Sequence, residues 1–460
     1  MDQSIGFDPE LIRRYDVSGP RYTSYPTAVQ FDERLGPDRY AVLAAESNRL
    51  GGPLSLYFHI PFCDTVCFYC ACNKVITRNR KRSTEYLDRL HTEIAMQGAL
   101  FDRARSVRQL HWGGGTPTFI SHDEMSDLMA QTREHFRLLD DDSGEYSVEV
   151  DPRSAGAETI RHLRQLGFNR LSMGVQDFEP RVQVAVNRIQ PREVTLQTLQ
   201  AARDEGFRSV SVDLIYGLPL QSVDSFAATL DAVIDLGPDR LSVFNYAHLP
   251  QMFKTQRQIR EIDLPAPDVK LGILEKVIER LTGAGYVYIG MDHFAKPSDE
   301  LARAQREGTL YRNFQGYSTH SDCDLVALGA SSIGIVGASY SQNRRALDDY
   351  YACIDAGGLA VFRGVELTAD DQLRRDVITR LICDFELDFA AVGKRHDIDF
   401  DSYFAAEVER LTRMEEDGLL DLDASGIRVK PAGRLLIRNV CMVFDRYLRG
   451  ETPRRFSKVI

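Results

Sequence analysis

Cysteine is scarce in this chain: there are eight in 460 residues, and four of them (Cys323, Cys353, Cys383 and Cys441) stand singly. So few thiols, so scattered, exclude a secreted scaffold held by disulfides and point to a reducing compartment. Long apolar runs are missing too. Nothing is long enough to span a bilayer, and the opening "MDQSIGFDPELIRRYD" is charged, without the apolar core of a secretory leader. The expectation is a soluble cytoplasmic protein. Net positive charge is also lacking. With 56 Lys and Arg against 67 Asp and Glu the chain carries −11, which disfavours nonspecific binding to nucleic acid or membrane. One basic cluster, "RNRKR" at 78–82, runs against that balance and is read as a solvated helix entry.

What is present is a composition that is 43% hydrophobic, enough for a large core and a smaller added unit. From 54 to about 330, short β-rich runs alternate with helix formers. The expected strands are 54–60, 108–112, 146–150, 170–175, 209–217, 240–246 and 286–290; helices are expected at 84–100, 122–137, 157–166, 192–205, 222–236 and 267–284. That alternation predicts an α/β fold, a partial or complete parallel β/α barrel. Chemistry in such folds gathers at the carboxyl ends of the strands. Those ends carry cysteines, "GGGTPT" (113–118), "EVDP" (149–152), "GVQ" (174–176), "DLIYGLP" (213–219) and "NYAHLP" (245–250), none of which a packed core requires.

The remaining four cysteines, Cys63, Cys67, Cys70 and Cys72, share one loop. Structural zinc usually takes two ligand pairs separated by a longer loop. A single short loop better surrounds a four-iron four-sulfur cube, with Cys72 either the fourth ligand or set aside so that one iron stays open.

The spacing C-x3-C-x2-C followed by "GGGTPT" resembles the radical S-adenosylmethionine (radical SAM) superfamily. The resemblance implies one 4Fe–4S cluster on Cys63, Cys67 and Cys70, with SAM on the remaining iron, and implies that Cys72 is not a ligand. Within that superfamily, "GPRYTSYPTA" (19–28), "YFHIPFC" (57–63), "CAC" (70–72), "HWGGGTPT" (111–118), "VEVDPR" (148–153), "SMGVQDF" (172–178), "FNYAHLP" (244–250) and "YRNFQGYST" (311–319) together resemble the oxygen-independent coproporphyrinogen III oxidase family. That resemblance implies decarboxylation of two propionates of coproporphyrinogen III to vinyl groups, giving protoporphyrinogen IX in heme biosynthesis. It implies a first SAM site at Tyr57, Gly114, Glu149, Ala247 and Ile333. A second SAM is implied at Tyr69, Gly115, Thr116, Gln176, Arg188 and Asp213. A low-potential electron donor and an unidentified terminal acceptor are implied as partners, and a monomer is expected. A heme chaperone of the same superfamily is the rival reading; such relatives lack the extra cysteine and "PRYTSYPT".

Three units are expected: an N-terminal extension, 1–50, covering the active site with Arg21 and Tyr22 near substrate; the barrel, 51–350; and a helical, winged-helix-like unit, 360–460. The last is expected as helices at 368–385 and 400–418, a hairpin at 419–430 and a final helix. Because 400–418 is acidic, DNA binding is not expected.

Overall fold

The structure, a computed structural model, describes residues 4–448; the outermost parts of the expected 1–50 and 360–460 units lie outside the described residues. Seven strands run parallel side by side. In chain order they are β1 (Leu54–Ile60), β2 (Ser106–Gly114), β3 (Glu145–Val150), β4 (Arg170–Gln176), β5 (Ser209–Tyr216), β6 (Arg240–Asn245) and β7 (Asp324–Leu328). Their order in the sheet is β6-β5-β4-β3-β2-β1-β7. Helices Lys81–Leu100, His122–His135, Ala157–Gln165, Arg192–Asp204, Val223–Leu236 and Pro267–Gly283 connect or follow them. The fold is the expected α/β parallel sheet, and its strand order is that of an open chain of strands.

Side chains alternate along each strand, and this sorts the two faces. Tyr146, Val148, Leu171, Met173, Val210 and Val212 are buried beneath the helices. Their neighbours Ser147, Glu149, Ser172, Ser211 and Asp213 turn to the concave side and line cavities there. One hydrophobic cluster joins the sheet, its helices and the C-terminal helices.

Two expected elements differ. The run 286–290 is not a neighbour of β6 in the parallel set. The strand Val287–Gly290 turns at Gly290 and Met291, both with positive φ, and pairs antiparallel with His293–Ala295, which inserts beside β6. The expected helix 400–418 is broken, Phe400–Tyr403 and then Ala405–Glu416, about a buried Phe404. At the other edge the sheet continues antiparallel through Ile333–Ile335, Ser339–Asn343 and Val361–Glu366.

Two tyrosines of the N-terminal segment expected to cover the site are part of the core. Tyr22 and Tyr25 are 4% and 2% exposed. Burial is tolerated because each hydroxyl is bonded: Tyr22 donates to Asp445 at 3.0 Å, and Tyr25 accepts from the Arg446 amide at 3.2 Å. Arg438 holds the carbonyls of Gly19 and Pro20. Arg21 points to Asp292 and the Asn245 carbonyl. The C-terminal region carries helices and a three-stranded antiparallel sheet, Glu386–Asp388, Leu420–Asp423 and Gly426–Val429. No helix among the described residues is long and apolar enough to cross a membrane.

Candidate active site

The cysteine loop leaves β1 at the carboxyl end of the sheet and is pinned on several sides. The Val75 amide donates to the Pro61 carbonyl at 2.7 Å, Thr77 to Cys63 at 3.0 Å and Phe68 to Val186 at 2.9 Å. Gln256 and Thr255 side chains hold the carbonyls of Tyr69 and Cys70. Such anchoring presents the thiols to a cavity of about 550 Å³. Cys63, Cys67 and Cys70 line it together with Tyr69, Gly114, Gly115, Thr116, Glu149, Gln176, Arg188 and Asp213. Cys72 also lines it and is exposed.

The sulfurs are not bare. Thr116 Oγ1 lies 3.5 Å from Cys63 Sγ. Arg188 Nη1 lies 3.6 Å and Arg153 Nη2 3.8 Å from Cys67 Sγ. Burial pushes the Cys63 thiol up to about 11. Cys70 goes the other way, down to about 6, chiefly because the Cys72 thiol hydrogen-bonds to it, with Lys74 nearby, while Cys72 is pushed up by that contact and by burial.

Glycine in "GGGTPT" is required by protein backbone. A Cβ on Gly115 would stand 2.7 Å from Pro61 and 2.8 Å from the Phe62 carbonyl, and Gly114, at φ +118°, packs on the His59 ring. The Gly115 amide donates to the Ile60 carbonyl at 2.9 Å, so the exits of β1 and β2 are locked together. Glu149 is fixed by the Gly114 amide at 3.1 Å and His111 Nε2 at 3.3 Å. Burial opposes its charge, yet those bonds prevail and hold the carboxyl below its usual range. Asp213, bonded by Ser172, is pushed up to about 7 by burial and then by the charge of Glu149. Gln176 has φ +70° at an irregularity between β4 and β5, which aims its side chain at the cavity.

Residues 57–233 match the family model described as the Radical SAM superfamily, and residues 367–436 match the HemN C-terminal domain. The oxygen-independent coproporphyrinogen III oxidase of Pseudomonas aeruginosa is 56% identical over 460 residues, covering 100% of both chains. That of Escherichia coli K12 is 52% identical over 459 residues, covering 100% of this chain and 99% of the relative. A solved structure of the Escherichia coli coproporphyrinogen III oxidase, described as a radical SAM enzyme, superposes with a TM-score of 0.92 at 50% identity, covering 96% of this chain and 100% of that one.

This chain belongs to the oxygen-independent coproporphyrinogen III oxidase family. Membership of this radical SAM family implies a 4Fe–4S cluster and SAM. The donor set fits both groups. Three thiols from one loop, with polar hydrogens near two of the sulfurs, suit a cluster. Beyond them, the unbonded buried atoms Gln176 Oε1 and Arg188 Nε belong to side chains lining the same cavity.

Three of the expected residues do not line this cavity. Tyr57, on β1, stacks on His111 with ring centres 5.8 Å apart and bonds His59 Nδ1 at 3.1 Å. Ile333 shares a satellite hydrophobic cluster with Tyr57 and Phe314. Ala247 follows β6 and accepts from Gln256 at 3.3 Å. Arg188 Nη1 meets the protein's own Asp151 at 3.1 Å and its Nη2 the Gly174 carbonyl at 2.6 Å.

Sequence reasoning missed His59, His111, Asp151 and Arg153. His59 Nε2 lies 2.9 Å from the Asn73 carbonyl, which can only accept, so Nε2 carries the proton and Nδ1 accepts from Tyr57. Burial holds His59 below its ordinary range, consistent with that neutral ring. The signal was available in the two-residue period: Tyr57 and His59, or His111 and Gly113, share one face of their strands.

Proposed function

We infer that this chain carries out the oxygen-independent oxidation of coproporphyrinogen III in heme biosynthesis, converting two propionates to vinyl groups and giving protoporphyrinogen IX. The observation that carries this is the full-length 56% identity to a relative of that name, in a chain whose clustered thiols open on a cavity at the strand ends. When bound, the cluster and SAM supply a 5′-deoxyadenosyl radical able to take hydrogen from a propionate β-carbon, after which loss of CO2 and one electron leaves the vinyl group.

The chain's own residues prepare that chemistry. Cys63, Cys67 and Cys70 are the cluster ligands, and Cys72 is not one. Thr116, Arg153 and Arg188 donate toward sulfur and raise the cluster's potential relative to bare thiolates. Tyr57, Gly114, Glu149, Ala247 and Ile333 hold one SAM; Glu149, kept charged, accepts from its hydroxyls or ammonium. A second SAM sits at Tyr69, Gly115, Thr116, Gln176, Arg188 and Asp213, and the support is that all six line one cavity. Arg188 acts there by fixing Asp151, Gly174 and Cys67.

The division into 1–50, 51–350 and 360–460 is supported by family matches that fall within the second and third units. Eight free thiols suit a reducing cytoplasm. Turnover draws on a low-potential donor and a terminal acceptor. The test is anaerobic incubation of the reconstituted protein with SAM, dithionite and coproporphyrinogen III. Vinyl product with 5′-deoxyadenosine is the expected result; tight heme binding without product overturns the reading.

A further inference from the structure

The basic run at 78–82 is not a remote helix entry. Val75 and Ile76 pair in register with Phe62 and Cys63, and the Thr77 amide donates to the Cys63 carbonyl at 3.0 Å. Arg78 is therefore two residues past a strand, Val75–Ile76, that pairs with the strand carrying Cys63. Arg78, Lys81 and Arg82 are all exposed. Arg345, also exposed, is brought alongside because Asn73 Nδ2 donates to its carbonyl at 3.1 Å. Ile76, between the cysteine loop and the basic residues, is 41% exposed. Of the nearest acids, Asp64 is bound to Arg80 and Glu124 accepts from Thr84 at 2.8 Å, while Glu85 and Asp348, the latter on the helix Leu347–Asp355, lie with Arg82 around Tyr351.

The local placement is electrostatically unfavourable. Helix Lys81–Leu100 begins with two cations in its first turn, no acid there and no side-chain cap, although a helix N-terminus favours negative charge. Other connecting helices follow the rule: the first turns of His122–His135, Ala157–Gln165, Arg192–Asp204 and Val223–Leu236 carry acids. The departure occurs at the one of these helices that follows the cysteine loop.

We propose that Arg78, Lys81, Arg82 and Arg345, around Ile76, form the docking surface for a small acidic protein carrying a low-potential one-electron centre, which reduces the site through this face. The proposal rests on the radical SAM reading, because only a redox cluster needs such a donor. Charge complementarity selects the partner. A chain of net charge −11 repels an acidic protein overall, so encounter has to be oriented by a local positive field beside the acceptor. A low-potential carrier that keeps its reduced form anionic meets such a field with the correct sign.

The test uses the full chain and the triple variant Arg78→Glu/Lys81→Glu/Arg82→Glu, with Arg78→Lys/Arg82→Lys as the charge-preserving control. Binding of oxidised flavodoxin, an acidic carrier, is measured on both by titration at low and high salt, and cluster bleaching by reduced flavodoxin is followed by stopped flow. The triple variant is expected to bind and to be reduced at least about tenfold more weakly and to lose the salt dependence. The lysine control is expected to behave as the parent, and dithionite-driven 5′-deoxyadenosine formation to be unchanged in both. Equal binding and equal salt slopes for parent and triple variant overturn the proposal. Failure of the parent with dithionite would instead count against the functional reading, and the flavodoxin titration would still judge the surface.

Discussion

Arg188 and Cys67 are neighbours across the mouth of the sheet: the guanidinium Nη1 stands 3.6 Å from the sulfur while also meeting Asp151 at 3.1 Å. The arginine is buried, with 8% of its side chain exposed, and Asp151 is nearly so, at 13%. Truncation therefore strands a buried carboxylate that Arg153 alone must neutralise. Arg188→Ala is expected to lower stability by ~2–3 kcal/mol, read from urea unfolding. Arg188→Lys keeps charge but loses the planar fork, so its reconstituted cluster should have a more negative potential in a redox titration. An unchanged potential would remove Arg188 from the account of cluster tuning.

Gly115 tests how tightly β1 and β2 exits are joined. Gly115→Ala places a methyl against Pro61 and Phe62 backbone, and is expected to cost ~2 kcal/mol and to reduce iron loading. Gly283→Ala, at a helix end where nothing lies within 4 Å of the added carbon, is the control and should be neutral or slightly stabilising. Melting curves and iron analysis of the two variants separate the cases.

Glu93 introduces a pH dependence remote from the thiols. It is fully buried, accepts from Tyr350, Asn343 and the Gly329 amide, and burial pushes its carboxyl up to about 7 from an ordinary 4.5. The folded chain thus holds a proton that the unfolded chain has released between those values. Its contribution is complete below pH 4.5 and is lost as pH rises through 7. Glu93→Gln should flatten the fall in urea midpoint between pH 5 and 7.5, a difference of ~1–3 kcal/mol. An identical pH profile for parent and variant would contradict the assignment.

Removal of residues 1–28 takes Tyr22 and Tyr25 out of the core, so it is expected to lower thermal stability as well as turnover. Tyr22→Ala alone should cost ~3 kcal/mol. A truncated chain melting with the parent would return this segment to the role of a loose cover.

Much of the parallel sheet was legible because its strands alternate with helices and end in residues that cores do not use. Leu54–Ile60 agrees residue for residue with the expected strand. The antiparallel edge was not legible. Ser339–Asn343 is buried throughout yet reads "SYSQN", and it satisfies those polar side chains locally, Asn343 on Glu93 and Gln342 through Arg363. No hydrophobic periodicity marks such a strand. In the site, the thiols were visible through their spacing. The Tyr57–His111 stack depends on the register of β1 against β2, which pairs these two residues across strands and leaves no local trace. The commitment of Arg188 to Asp151 was hidden for the same reason.

The central claim is a four-iron cluster on three thiolates, with Cys72 spare and one iron left for SAM. Iron and sulfide analysis with low-temperature electron paramagnetic resonance on reduced Cys72→Ser, with and without SAM, tests it most directly. The account predicts four irons as in the parent and a signal that shifts when SAM is added. Loss of the cluster in Cys72→Ser, a signal indifferent to SAM, or zinc in the loop would contradict it.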